Sequence, residues 1–293
     1  MQSVSIVGIG RLGGALALAL SRSGFLVKNL VFRNSETITR IAGAFSVAPD
    51  FLAAKDLVNL ETDIIFITTA DPDIGLVVAE LLKLTRGRPF VFHTSGSLSS
   101  DILGELRDIG CKTGSIHPLV SLSDPIRGAE SFAGTYFCVE GGVEAVIAAE
   151  KIVRSLGGIP FTVETRLKPL YHAAAVMASG HIVALFDAAS EVASASGIEN
   201  PAEILLPLVR STIANLETQK PEQALTGTFA RSDVGAFRSH HGLLKENVSD
   251  NAIDIYLDLA SRSLALAERK GADAEDIASI REGISIAKKK FGC

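Results

Sequence analysis

The chain has 293 residues, 47% apolar and 21% charged, with a net charge of −5. That length exceeds a single core and that apolar content excludes a disordered chain, so two packed domains are expected. The acidic balance excludes an extended nucleic-acid surface, and the one basic run, at 288–290, reads as a solvated helix end.

Residues 3–10 form a short apolar run ending in glycine, which predicts a strand. Leu12, Ala15, Leu16, Ala19 and Leu20 then recur at helical spacing, with Gly24 as the stop. A strand at 29–34, a short helix at 35–44 and a buried strand at 63–70 follow. Asp71 and Pro72 open a helix over 71–84. Residues 89–97 and 112–118 each read as a strand running into a polar loop. A strand at 135–141, a helix at 143–158 and a strand at 159–164 complete the region. Alternation of this kind predicts an α/β fold with a mostly parallel sheet.

After Thr165 the strand signals stop, and helices are predicted over 168–197, 201–219, 233–246, 250–270 and 273–290. The expected organisation is a Rossmann-type dinucleotide-binding domain, 1–165, followed by an all-α domain, 166–293. Cys111, Cys138 and Cys293 have no CxxC spacing and leave one unpaired, as expected of reduced thiols in a cytoplasmic protein. The chain enters a strand at once, leaving no room for a signal peptide. No run of about 18 uninterrupted apolar residues predicts a membrane span.

The stretch GIGRLG places Gly8, Gly10 and Gly13 in GxGxxG spacing, after a strand and at the start of a helix. That context is the one a dinucleotide fingerprint requires, with Ile9, Arg11 and Leu12 completing the loop around the pyrophosphate. The bland reading is a glycine-rich turn without a ligand. About 20 residues on, where an NAD site carries an acid for the ribose, stands Arg33, with Asn34 and Ser35 beside it. A guanidinium pairs with a 2′-phosphate, so NADP(H) is expected over NAD(H). The alternative is a solvent-facing arginine at a strand end.

In KPLYHAAAVMASGH, residues 168–181, Pro169 suits the first helical turn. Lys168, Tyr171, His172, Ala175 and Ser179 then share one face. The remainder is apolar all round until Asp187 and Glu191, which predicts a buried central helix. Reducing a carbonyl or imine leaves an anion that needs a proton or strong donors, and a Lys–Tyr–His cluster supplies both. A structurally hydrogen-bonded Tyr and His remain the other reading. His93 and His117 follow strands of the nucleotide domain, where each can bind substrate or cap a loop. Arg231 offers a carboxylate clamp, against a surface arginine beside a helix cap by Asp233. Adjacent His240 and His241 point apart on a helix, so no metal is expected. Ser95 lacks a GxSxG context, which excludes a hydrolase triad.

The motifs GIGRLGGALA, HTSGS, SIHPLVSL, PLYHAAAVMASGHIVALFDAA and LTGTFARSD occur in this order. With them the chain resembles the Rossmann-like proteins that carry a helical C-terminal DUF2520 domain. These are distant relatives of pyrroline-5-carboxylate reductase and the β-hydroxyacid dehydrogenases. The resemblance implies that Thr69 and Asp71 lie beside the nicotinamide half of the cofactor, with Ser95 also on the cofactor. It points further to His93, Gly96, His117 and Pro118, then to Lys168, Tyr171, His172 and Ser179, then to Thr226, Gly227, Arg231 and Asp233. Two departures stand out: Gly180 where many relatives carry Asn, and His172 where the dehydrogenase pattern places Asn after Lys168. The implied activity is NADP-dependent reduction of a small carboxylate-bearing 2-oxo acid, ketopantoate among the candidates. A pyrroline-5-carboxylate-like imine reductase and a non-catalytic NADP-binding sensor are the alternatives. The expected partners are a small-molecule substrate and a second copy, through the helical domain, without nucleic acid or membrane.

Overall fold

The computed structural model describes residues 1–56, 60–85 and 87–290; the expectation for Cys293 lies outside them. The strands are β1 (Ser3–Val7), β2 (Leu26–Phe32), β3 (Asp50–Ala53), β4 (Ile64–Ile67), β5 (Phe90–His93), β6 (Lys112–Pro118), β7 (Tyr136–Gly141) and β8 (Ile159–Thr162). They form one sheet in the order β3-β2-β1-β4-β5-β6-β7-β8. Every neighbouring pair is parallel except β6 with β7. The order reverses between β1 and β4, the topological switch point at which ligands enter such sheets.

The helices of this unit are α1 (Arg11–Arg22), α2 (Glu36–Ile41), α3 (Asp71–Leu84), α4 (Gly104–Asp108), α5 (Pro125–Glu130), α6 (Val143–Ser155) and α7 (Lys168–Ala178). Alternate strand residues face opposite sides of the sheet. Ile6, Leu30, Phe66 and Phe92 therefore meet Leu16, Leu18 and Leu20 of α1 and Ile152 of α6 on one side. Ile65, Ile67 and Val91 meet Ile74, Val78 and Leu81 of α3 on the other. Each fully buried aliphatic side chain in these layers contributes about 1.5–3 kcal/mol.

The second unit comprises α8 (Gly180–Ala195), α9 (Pro201–Thr218), α10 (Pro221–Ala224), α11 (Gly227–Ala230), α12 (Val234–Asn247), α13 (Asp250–Lys270) and α14 (Ala274–Lys290). Phe237, Ile253, Leu257, Leu264, Ile280 and Ile284 form its core. Ser249 caps α13 by accepting from the Ala252 amide, and Gly271, at φ 90, ends it.

The structure departs from the sequence reading in several places. β3 was not expected: DFLA is short and lies at the sheet edge, where it needs little apolar periodicity. The compact units divide at 178/179, after the expected boundary at 165/166, because α7 is anchored to the sheet by a buried Lys168. The expected helix over 168–197 breaks at Ser179, whose φ and ψ of −129° and −81° are not helical. Nor is it fully covered among the described residues: Leu170, Met177, Val183 and Leu185 are exposed. All-round apolarity shows that a helix avoids water without showing what covers it. By length and composition the run Thr165–Ala195 is also apolar enough to cross a membrane, although Lys168 is paired inside the sheet domain.

Candidate active site

A cleft of about 420 Å³ opens at the carboxyl ends of β1, β4, β5 and β6. Gly10, Arg11 and Leu12 line it from the first loop, and Thr68, Thr69 and Asp71 from the turn after β4. Thr94, Ser95 and Gly96 contribute after β5, then His117 and Pro118 from β6 and His172 from α7.

The glycine loop is shaped for close approach. A Cβ on Gly8, which has φ 106, would lie 2.7 Å from the Thr69 amide, and one on Gly13 would collide with the Gly8 carbonyl. At Gly10, by contrast, a Cβ meets nothing within 4 Å, so the backbone there faces open space. The start of α1 has no side-chain cap and no acid in its first turn. Its orphan N–H groups and positive dipole end are therefore available to an anion, which is what a dinucleotide pyrophosphate requires.

Asp71 begins α3, where the helix dipole suits its charge, and accepts hydrogen bonds from Ser95 Oγ (2.8 Å) and Ser97 Oγ (2.7 Å). Ser95 Oγ in turn accepts from the Leu98 amide at 2.9 Å, so the HTSGS loop folds around the carboxylate. Gly96 touches two imidazoles: a Cβ would collide with His172 Nδ1 and lie 2.8 Å from His117 Nε2. The His117 and His172 rings stand edge to face with centroids 5.6 Å apart. His117 Nδ1 lies 2.8 Å from the Tyr171 hydroxyl. Burial, with the charges of His172 and Lys168, pulls His117 down to about 4, so its ring is neutral at physiological pH. Burial also pushes the Tyr171 hydroxyl above its ordinary range. The buried Thr69 Oγ1 and His172 Nδ1 have no hydrogen-bond partner among the described residues. Such orphans are uncommon in interiors and, lining a cleft, suit a ligand.

The structure brings together Thr69, Asp71, Ser95, Gly96, His117 and His172 as the sequence suggested, with Tyr171 behind His117. Two expectations change. Lys168 cannot donate to a molecule in the cleft: it is fully buried, and its Nζ donates to Ser115 Oγ (2.5 Å) and Glu140 Oε1 (3.2 Å). His93 is likewise fully buried and absent from the cleft wall, with Nδ1 accepting from the Ser95 amide at 3.2 Å. It shapes the loop; burial, reinforced by the charge of Lys168, lowers it to about 4. Ser179, Arg231 and Asp233 belong to the second unit. There Asp233 caps α12 through the Ala236 amide, Arg231 is exposed and Ser179 marks the break before α8. Thr226 and Gly227 start α11.

The loop after β2 holds a feature invisible at sequence distance. Arg33 pairs at 3.2 Å with Asp73 from the first turn of α3, so an acid does stand beside it. Asn34 Oδ1 accepts from the Glu36 amide, and Ser35 precedes α2. Glu140 was also missed, and its signal was present: a lone acid in an apolar strand must find partners when buried.

Family models match a Rossmann-like domain over residues 1–118 and the domain of unknown function DUF2520 over residues 135–263. Similar solved structures include protein TM1727 from Thermotoga maritima, 22% identical over 91% of this chain and 99% of that one, with a TM-score of 0.72. An imine reductase from Pseudomonas sp. is 18% identical over 91% and 96%, at 0.59. A pyrroline carboxylate reductase from Plasmodium falciparum with NADP bound is 14% identical over 91% and 98%, at 0.53. Likenesses this distant show a shared fold. No curated protein sequence matches the chain.

Proposed function

From a chain that joins a Rossmann-like domain to a DUF2520 domain, we propose an NADP(H)-dependent oxidoreductase that reduces a small carboxylate-bearing 2-oxo acid. The observation that carries this reading is the cleft itself: an uncapped helix start behind three glycines faces two imidazoles across Gly96. Reduced nicotinamide, when bound, supplies the hydride. Gly8, Gly10, Gly13 and the start of α1 would hold the pyrophosphate, and Arg33 the 2′-phosphate. Thr69 and Asp71, which line the same cleft, would stand on the nicotinamide side.

The proton side follows from the hydrogen bonds. With the Tyr171 hydroxyl donating to His117 Nδ1, the ring proton of neutral His117 sits on Nε2, the atom that faces Gly96 and the cleft. That N–H stabilises the anion left when the carbonyl is reduced, as an oxyanion-hole donor does. His172, whose Nδ1 is without a partner, delivers the proton. A second reading draws on Asp71, whose carboxylate lies in the same cleft. A fixed negative charge favours a protonated imine over a second anion, which suits reduction of a cyclic imine.

NADPH oxidation against a panel of 2-oxo acids (ketopantoate included) and cyclic imines tests both readings. His172→Ala is expected to lower kcat about a hundredfold or more while NADPH binding, followed by fluorescence, stays within a few-fold. NADPH binding without turnover on any panel member sinks the enzyme reading and leaves a dinucleotide sensor. Arg33→Asp is expected to reduce the preference for NADPH over NADH about tenfold or more, because a charge-assisted contact is replaced by repulsion. Unchanged NADPH affinity in that variant removes Arg33 from the cofactor site.

The exposed Val183 and Leu185 of α8 and Ile204, Leu208 and Ile213 of α9 support the proposed homodimer, since apolar surface on this scale is covered in a working protein. Sedimentation at micromolar concentration is expected to show a dimer; a monomer removes this part.

A further inference from the structure

Glu140 and Lys168 form an ion pair with side chains 2% and 0% exposed, a costly arrangement that an apolar pair could replace without loss of packing. Glu140 is also the meeting point of several chain segments. Its carboxylate accepts from the Ser100 amide and hydroxyl, both at 2.8 Å, from Ser115 Oγ at 2.7 Å and from Thr165 Oγ1 at 3.3 Å. Every spoke leads to a wall of the cleft. Ser100 ends the loop that carries Gly96. Ser115 lies two residues before His117 on β6, so both side chains take the same face of the sheet. Lys168 lies three and four residues before Tyr171 and His172, on the same face of α7. Cys138 of β7 stands opposite His117 across the β6–β7 pair.

We propose that the buried Glu140–Lys168 pair is the positioning centre of the cleft, setting the Gly96 loop, His117 and the Tyr171–His172 turn against one another. Neither residue reaches the cleft, so both act through others. What the charges add over an apolar pair is direction. Glu140 accepts only from donors that converge on its two oxygens, and that convergence fixes the angle at which α7 leaves the sheet. The Tyr171 hydroxyl then meets His117 Nδ1, and both imidazoles meet Gly96. The inference rests on the proposed reductase reading for its kinetic arm alone.

The test is the double variant Glu140→Gln/Lys168→Met, which removes both charges together, read by nitrogen NMR of labelled histidine and by the NADPH panel. The folded double variant is expected to bind NADPH as the native chain does. The His117 Nδ1 signal should lose its hydrogen-bonded position, and kcat should fall on the order of a hundredfold, since small misplacements of reacting groups have that effect. An unchanged His117 signal and unchanged kcat overturn the proposal. If the native chain turns over nothing, the reductase reading fails, and the histidine signals still decide the positioning role. Should the double variant not fold, Ser115→Ala carries the same readings, because it removes the hydroxyl that Lys168 and Glu140 share without leaving a lone charge. Native-like histidine signals in a folded Ser115→Ala chain likewise count against the proposal.

Discussion

Acidification from pH 6.5 towards pH 4 is expected to remove about 6 kcal/mol of stability from the sheet domain. His93 and His117 are each lowered from 6.5 to about 4, in both cases chiefly by burial. A shift of about 2.5 units corresponds to about 3 kcal/mol for each ring. Between the two values the unfolded chain binds protons that the folded chain refuses. Stability is therefore complete above 6.5, is lost as the pH falls from 6.5 towards 4, and falls no further from this cause below the folded values. A loss of this size is comparable with the whole stability of an ordinary domain, about 5–15 kcal/mol, so acid unfolding should set in before the carboxylates are fully protonated. Urea unfolding followed near neutral pH and near pH 4 measures it. His93→Asn should flatten the dependence by about half, and a native chain whose midpoint is the same at both pH values contradicts the assignment.

The single substitution Lys168→Met should cost about 3–5 kcal/mol, because it leaves the Glu140 carboxylate buried without its cation. Burial pushes Glu140 up, but the Lys168 charge and the hydrogen bonds from Ser115 and Ser100 more than offset this and hold it below the ordinary carboxylate range. For Lys168, burial is the larger influence and lowers it against the pull of Glu140. Thermal unfolding should shift down by about 10 °C in the single variant, judged from the usual dependence for chains of this size. Glu140→Gln alone should do comparable damage, whereas the double variant should recover most of the loss. Equal melting temperatures for Lys168→Met and the native chain would show that the pair is uncoupled.

These two expectations mark where sequence reasoning reached and where it stopped. GIGRLG could be read locally because the tight turn at Gly8 and the crowding at Gly13 are set by residues within a single strand-turn-helix unit, with Thr68 and Thr69 alone coming from elsewhere. Helices α9, α12, α13 and α14 were legible within a residue or two, since their apolar spacing and terminal residues lie along one segment, whereas the single turns α10 and α11 are too short to show a period. Lys168 was misread because its spacing with Tyr171 and His172 shows a common face and says nothing of depth. One turn of helix separates a lysine inside the sheet from a histidine at the cleft. The acid beside Arg33 does not show among its sequence neighbours, because Asp73 is distant along the chain and adjacent in space.

By itself the sequence determined the alternation of strands and helices, the glycine loop, the switch to an all-helical second half and the residues that could carry chemistry. All of these depend on periodicity and on the steric demands of neighbouring residues. Only the tertiary structure decided which polar groups face the cleft and which are sealed behind it. It turned β7 antiparallel, set Glu140 opposite Ser115, and placed His117 where Tyr171 reaches one ring nitrogen and Gly96 the other. The reason is physical: burial and pairing are properties of surfaces that meet, and the segments that meet here lie far apart along the chain.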